Sequence, residues 1–322
     1  MIKALAITGP TASGKTALSI EVAGALGCEI ISCDSMQIYR DMDIGTAKAT
    51  EEERLAVPHH LIDFLDPGVS YSAEQYRADA MSVAGEITGR GKIPMFVGGT
   101  GLYIDTVIRG GAQISPPSSA EYREKLLKGC DTEQGIDALW QRLREVDPDS
   151  AEKIHKNNVR RVARALEIYE LSGKTKTYFD EQSRAVSPDI SVLMLTIDFH
   201  NRDLLYERVD KRVDLMIKEG LLDEVNTLYR RGVLDGDNTA SAAIGYKEFL
   251  LYIKGEVTLD EALELLKQAS RRYAKRQLTW FRHEKDAIRI FADGEDGRLK
   301  SLDTLCTEAI DRIKESGFLN DN

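Results

Sequence analysis

The residues of this chain best suited to chemistry begin with Gly9-Pro10-Thr11-Ala12-Ser13-Gly14-Lys15-Thr16, which has the spacing G-x-x-x-x-G-K-[ST]. Glycines at both ends let backbone amides turn toward a phosphate, and a helix starting there adds partial positive charge. Lys15 would reach the terminal phosphates, and the Thr16 hydroxyl would ligate Mg²⁺. The pattern points to a bound di- or triphosphate and leaves the reaction open. Asp34 follows the next apolar run, and Thr100 lies in Gly98-Gly99-Thr100-Gly101 after a later one. An Asp beside a phosphate could hold Mg²⁺ or take a proton from a nucleophile. It is equally a favoured cap, and Thr100 is suited to a plain turn.

Elements must bring these groups together. Ala4–Thr8, Glu29–Cys33 and Ile93–Val97 read as strands, separated by a helix over Lys15–Leu26 and another that Ser72 and Gln75 open as a capping box. Strands alternating with helices make a parallel sheet, and ligands gather beyond the carboxyl ends of its strands. The Gly-rich loop, Asp34 and Thr100 therefore converge on one edge. Composition shifts at Ser115-Pro116-Pro117-Ser118-Ser119, and the following segment is helical and polar until Val192–Ile197, an apolar strand. The remainder reads as helical, over Asn201–Arg231 and from Thr258, capped by Glu261, to about Arg282. The expected fold is α/β: a P-loop NTPase-like parallel sheet core, residues 1–112 and 190–322, with helices on both faces and an inserted helical domain over 113–189.

Bulk properties narrow the function. The 322 residues, 42% hydrophobic and 30% charged, describe a globular chain and not a disordered one. No run of about 18 apolar residues would span a membrane, and the opening Met1–Gly9 stretch is too short an apolar run for a signal peptide. Cys28, Cys33, Cys130 and Cys306 lack metal or disulfide spacing, as expected of reduced thiols in the cytoplasm. His59 and His60 lack further ligands for a metal site.

The net charge of −10 argues on average against a polyanionic partner. Locally the charges segregate. Lys153, Lys156, Arg160, Arg161 and Arg164 fall in a stretch without an acid, while Arg271, Arg272, Lys275, Arg276, Arg282 and Lys285 share theirs with Glu284 alone. Tyr273, Trp280 and Phe281 interleave with the second cluster, as in sites that grip unstacked bases. Solvated or packed helix faces would carry the same charges, and Trp280 and Phe281 would serve equally in a core.

Asp34-Ser35-Met36-Gln37-Ile38-Tyr39, beside the P-loop, resembles the tRNA dimethylallyltransferases, or tRNA isopentenyltransferases. Pro58-His59-His60-Leu61-Ile62-Asp63, Gly98-Gly99-Thr100-Gly101-Leu102-Tyr103 and Arg161-x-x-Arg164-Ala165-Leu166-Glu167 are similar to that family too. So are Ile244-Gly245-Tyr246-Lys247-Glu248 and Gln277-Leu278-Thr279-Trp280-Phe281-Arg282, which extend the resemblance to about residue 283.

The resemblance implies transfer of a dimethylallyl group from dimethylallyl diphosphate to the exocyclic N6 amine of the adenosine 3′-adjacent to the anticodon, in tRNAs reading codons that begin with U. Gly9 to Thr16 would hold the diphosphate, with Mg²⁺ on Thr16 and a further cation from Arg212. Asp34 would be the general base, Thr100 would touch the amine or the bridging oxygen, and Gln37 would bond the adenine edge, with Ser35 and Met36 beside it. Arg160, Arg161, Val162, Ala163 and Arg164 match the tRNA-contacting stretch, and Arg123 a further tRNA contact, which makes the insert a clamp for the anticodon stem-loop. The expected enzyme is a cytoplasmic monomer with no membrane contact. A small-molecule kinase would share the Asp after the second strand, and a prenyltransferase of free AMP or ATP would share the chemistry. A GTP switch would need an N-K-x-D motif that the chain lacks.

Overall fold

A computed structural model describes residues 1–108, 116–185, 189–234 and 238–320. The chain divides into two compact units, Met1–Ile108 with Ile190–Asn322, and Arg109–Asp189. The first unit opens with β1 (Ile2–Thr8), α1 (Lys15–Leu26), β2 (Cys28–Ser32), α2 (Glu51–Ala56) and β3 (His59–His60). It continues through α3 (Ala73–Gly89), β4 (Ile93–Gly98) and α4 (Gly101–Ile108). The second unit holds α5 (Ala120–Leu127), α6 (Glu133–Val146), α7 (Pro148–Lys153), α8 (Val159–Ser172) and α9 (Lys176–Ala185). The first resumes with β5 (Ile190–Asp198), α10 (Arg202–Lys218), α11 (Leu221–Arg230), α12 (Tyr246–Ile253), α13 (Leu259–Arg282), β6 (Ile288–Phe291) and α14 (Leu302–Glu315).

The strands form one six-stranded sheet in the order β3-β2-β4-β1-β5-β6. Every named pair is parallel. Parallel strands are covered on both faces and so read as continuous apolar runs; Ala4–Ile7 and Ile30–Ile31 are almost fully buried. One face packs Leu5, Ile7 and Ile30 against Leu18 and Val22 of α1, Leu278 of α13 and Ile313 of α14. The other packs Ala4, Ala6 and Ile31 against Tyr76 and Ala80 of α3 and Ile104 of α4. Thr8 aligns with Gly98, and Ser32 with Val97, so the chain leaves β1, β2 and β4 at one level. Above that edge a separate core joins Ile38, Tyr39 and Met42 to Val213 and Met216 of α10, Val225 of α11, Phe249 of α12 and Leu266 of α13.

The capping boxes at Ser72/Gln75 and Thr258/Glu261 are both formed. The helical run expected over Asn201–Arg231 is two helices, because Gly220, at φ 102°, caps α11 in a left-handed conformation. The tail is not wholly helical: Ile288–Phe291 adds an edge strand to β5. Its four residues are too few, and too close to Lys285 and Asp286, for periodicity to mark them. His59 and His60 form a two-residue edge strand, with His59 Nδ1 on the Val57 carbonyl and His60 Nε2 on Glu29.

Candidate active site

The Gly-rich loop connects β1 to α1. Gly9 and Gly14 have φ of 152° and 91°, and Ala12 between them has φ 61°. A left-handed alanine is held only where its surroundings over-determine it. Arg208 of α10 does part of this by donating Nε–H to the Ala12 carbonyl at 2.7 Å. Gln277 of α13 accepts the Thr11 amide at 2.8 Å. Ser13 Oγ is buried and has no partner among the described residues, and buried polar atoms are rarely left unmatched unless a ligand completes them.

Beyond β2, both readings of Asp34 hold together. Its Oδ1 accepts the amides of Met36 at 2.9 Å and Gln37 at 3.4 Å, which is the capping role. Oδ2 makes no bond among the described residues, and Asp34 lines a cavity of about 420 Å³. Lys15, Thr16, Arg212 and Tyr273 line the same cavity. Thr100 is fastened to this turn: its Oγ1 accepts the Ser35 amide at 3.1 Å, and its own amide donates to the Cys33 carbonyl at 3.1 Å. Gln37 also lines the cavity, but its Nε2 donates to the carbonyls of Thr46 at 3.2 Å and Ala47 at 3.0 Å.

Charge at the cavity floor is adjusted by desolvation. It pulls the Lys15 ammonium down to about 8, Arg212 pulls in the same direction, and Asp34 opposes them. Desolvation likewise lowers Arg212, against Asp34 and Glu219. Two cations crowded together out of water prefer an anion between them, and a phosphate group entering here would raise the Lys15 pKa back toward its ordinary value. The cavity also has an apolar patch of Val213, Met216, Ala243 and Leu266, which belong to one packed cluster.

In the helical unit, Arg160 and Arg161 on the first turn of α8 are exposed, and their side chains bond nothing among the described residues. Arg123 and Arg164 do otherwise. Both bind Glu167, whose side chain is fully buried, Arg123 Nε at 3.0 Å and Arg164 Nη1 at 2.8 Å. Arg164 also donates to the carbonyls of Pro116 and Pro117. Val162 and Ala163, the other residues of the expected tRNA-contacting stretch, have side chains buried with Leu139, Leu143 and Leu166 in this unit's core.

The second basic cluster lies on α13, apart from Lys285 just beyond it, and only its two ends are committed to the scaffold, while Arg272, Lys275 and Arg276 between them are exposed. Arg271 holds Asp210 at 2.6 Å, Arg282 holds Asp198 at 2.6 Å, and Phe281 is in the core. Only Tyr273 and Arg276 of this cluster line the cavity, with the guanidinium 5.5 Å from the ring centroid. Sequence reasoning passed over Gln277 and Arg208, which shape the phosphate loop, and Glu224. Glu224 accepts the amides of Asp43, Ile44 and Gly45 and the Tyr246 hydroxyl, fixing the loop that walls the cavity. Lone polar helix residues carry no spacing signal. For Gln277 the available hint was its place in the Gln277–Arg282 block.

A Gly-rich loop with a carboxylate and the cations Lys15, Arg212, Lys247 and Arg276 around one cavity, at the carboxyl edge of a parallel sheet, defines an α/β protein with a site suited to a phosphorylated ligand. Family comparison narrows this. Residues 37–284 match the model described as IPP transferase, and residues 2–63 that of isopentenyl transferase. A Bacillus anthracis protein named tRNA dimethylallyltransferase is 49% identical over 295 residues, 91% of this chain and 92% of that one. The full-length tRNA isopentenylpyrophosphate transferase of Bacillus halodurans superposes with a TM-score of 0.68 at 42% identity, covering 99% of both chains. A eukaryotic dimethylallyltransferase solved acting on tRNA gives a TM-score of 0.80 at 30% identity, covering 100% of this chain and 81% of that one. The chain belongs to the IPP transferase family, the tRNA dimethylallyltransferases, and is a transferase.

Proposed function

We propose that this transferase moves a dimethylallyl group from dimethylallyl diphosphate to the N6 amine of the adenosine 3′-adjacent to the anticodon, in tRNAs reading codons that begin with U. The observation that carries this reading is one cavity in which Lys15, Thr16 and Arg212 share walls with Asp34 and an apolar patch. The bond from the allylic carbon to the bridging oxygen breaks, and the bond from N6 to that carbon forms. Asp34 takes the amine proton on Oδ2, the oxygen its turn does not use. Negative charge grows on the departing diphosphate, where Lys15, Arg212 and the amides from Gly9 to Thr16 stabilise the transition state more than the ground state. Thr100 acts through its bond to Ser35. With its amide donors spent on Thr46 and Ala47, Gln37 would meet the adenine through Oε1, as an acceptor from N6–H.

The residues fit Mg²⁺. The Thr16 hydroxyl is a hard oxygen donor on the cavity wall, the buried Ser13 Oγ beside it in the loop is unpartnered among the described residues, and Mg²⁺ takes few protein ligands beside substrate phosphates and waters. When bound it would neutralise charge on the diphosphate. The target adenine must leave its stack, at a cost of a few kcal/mol, and residues 113–189, with Arg160 and Arg161, would clamp the stem-loop. In this reading the enzyme is a cytoplasmic monomer; no helix among the described residues is long and apolar enough to cross a membrane.

Purified protein with Mg²⁺, labelled dimethylallyl diphosphate and bulk tRNA tests the proposal. Label enters tRNA. Label in AMP but not tRNA selects a free-nucleotide prenyltransferase, and no transfer overturns the reading. Asp34→Ala should lower turnover about 10²–10⁴-fold while leaving magnesium pyrophosphate affinity nearly intact. Near-normal turnover would remove Asp34 as the base.

A further inference from the structure

Helix α13 makes an unusual use of one buried amide. Gln277, 5% exposed, spans two loops that are distant in sequence. Its Oε1 accepts the Thr11 amide of the phosphate loop at 2.8 Å, and its Nε2 donates to the Gly99 carbonyl at 3.0 Å. A Cβ on Gly99 would lie 2.1 Å from that Nε2, so the approach requires glycine. Tyr273, one turn earlier on the same face, interacts with both the Thr100 and Gln277 side chains. Trp280, about one turn later, covers Gly101, whose Cβ would lie 2.4 Å from the indole Nε1.

The Gly99–Gly101 turn carries the Asp34 loop with it, through Thr100 to the Cys33 carbonyl and Ser35 amide to Thr100 Oγ1. Burying a polar amide is unfavourable unless both ends are bonded. A glutamine that meets this condition with one loop on each end acts as a spacer of fixed length. α13 is itself fastened to α10, the helix of Arg208 and Arg212, by Arg271 on Asp210.

We propose that Gln277 is a positioning residue, which sets the separation between the phosphate loop and the Thr100–Asp34 side of the cavity. The proposal rests on the transfer reaction above only for its kinetic consequence: a cradled diphosphate and a base that are each intact but displaced by about an ångström would lose on the order of 100-fold in rate. Gln277 also lines the cavity, but its amide is held at both ends by backbone groups. It acts through Thr11 and Gly99.

Gln277→Met keeps the length and removes both bonds. Its kcat for transfer to tRNA should fall about 10–100-fold, with KM for tRNA changed less than threefold. In an Asp34→Asn background the same substitution should cost almost nothing further, because the groups it aligns no longer act together. Gln277→Glu retains the acceptor for Thr11 and should lie between. A role confined to stability would lower the melting temperature, leave kcat per folded molecule unchanged and give additive losses, and that pattern overturns the proposal. Should Gln277→Met fold poorly, Gly99→Ala, which pushes the amide off its carbonyl, should give the same kcat loss at unchanged KM; unchanged kcat there overturns it. Amide exchange supplies a readout without catalysis: the Thr11, Ser35 and Thr100 amides should exchange at least tenfold faster in Gln277→Met than in the native protein. Equal protection overturns the proposal whether or not the protein prenylates tRNA, whereas failed transfer by the native protein counts against the reaction alone.

Discussion

Two basic helices of this protein look alike in sequence and differ in which of their cations the fold pairs. α8 and the stretch before it carry Lys153, Lys156, Arg160, Arg161 and Arg164, while α13 carries Arg271, Arg272, Lys275, Arg276 and Arg282. On α13 the end cations are locked to acids from elsewhere in the chain: Asp210 lies 61 residues from Arg271, and Asp198 lies 84 from Arg282. Lys267 joins them on Asp214. On α8, Arg164 is locked and Arg160 and Arg161 are not. A positive cluster offers charge to a polyanion only where the fold leaves its acids elsewhere. Local counting cannot see this, because the partners come from α10 and the end of β5.

The comparison breaks hardest at Glu167, which turns part of the α8 cluster into scaffold. Its carboxylate holds Arg123, Arg164 and the Ser119 amide. Burial alone would raise its pKa, but these partners outweigh it and the result is lowered below 4.5. A carboxylate depressed in the fold contributes stability above its unfolded pKa and loses it as pH falls through the folded value. Glu167→Ala should therefore destabilise the full chain by about 3 kcal/mol near neutral pH, the cost of orphaning a buried ion network. The margin between native protein and Glu167→Gln, read by thermal denaturation, should narrow as pH drops below 4.5. A loss under about 1 kcal/mol, or a margin independent of pH, would mean that Arg123 and Arg164 are free to serve a ligand.

Arg160→Ala and Arg161→Ala sharpen the other side. Both side chains are exposed and unpaired among the described residues, so each change should alter stability by less than about 0.5 kcal/mol. Each should weaken tRNA binding severalfold across tRNAs and lower the salt slope of binding by about 1. Unchanged salt slopes in filter-binding titrations would remove this helix from the phosphate path.

What could be read ahead follows the same division. Strand and helix placement depends on local pattern, so β1, α1, β2, β4 and the two capping boxes were legible, and so was the convergence of the Gly-rich loop with Asp34 at one sheet edge. β6 was not, being four residues at an edge. Asp34 was legible as a residue but not as two oxygens with different work, one capping and one unbonded. Gln277, Arg208 and Glu224 were illegible as site residues because each acts on backbone groups more than 170 residues away. Glu167 lay only three residues past Arg164, just outside the stretch whose acids were counted.

The smallest expected effect tests the assignment of α13 as scaffold. Arg271 and Asp210 keep 31% and 35% of their side chains exposed, and such half-exposed pairs are worth about 0–1 kcal/mol because water competes for both charges. Arg271→Ala should cost no more than that in stability. It should also leave the salt slope of tRNA binding where it was, since a guanidinium already paired with a carboxylate releases no phosphate counterion on binding. Measured beside Arg161→Ala under identical salt, it removes an equal charge from a helix of similar composition. Equal slopes for the two variants would show that α13 shares the tRNA path and that its ion pairs open for the substrate. A slope lowered only in Arg161→Ala would show that pairing, not charge count, decides which arginines meet the nucleic acid.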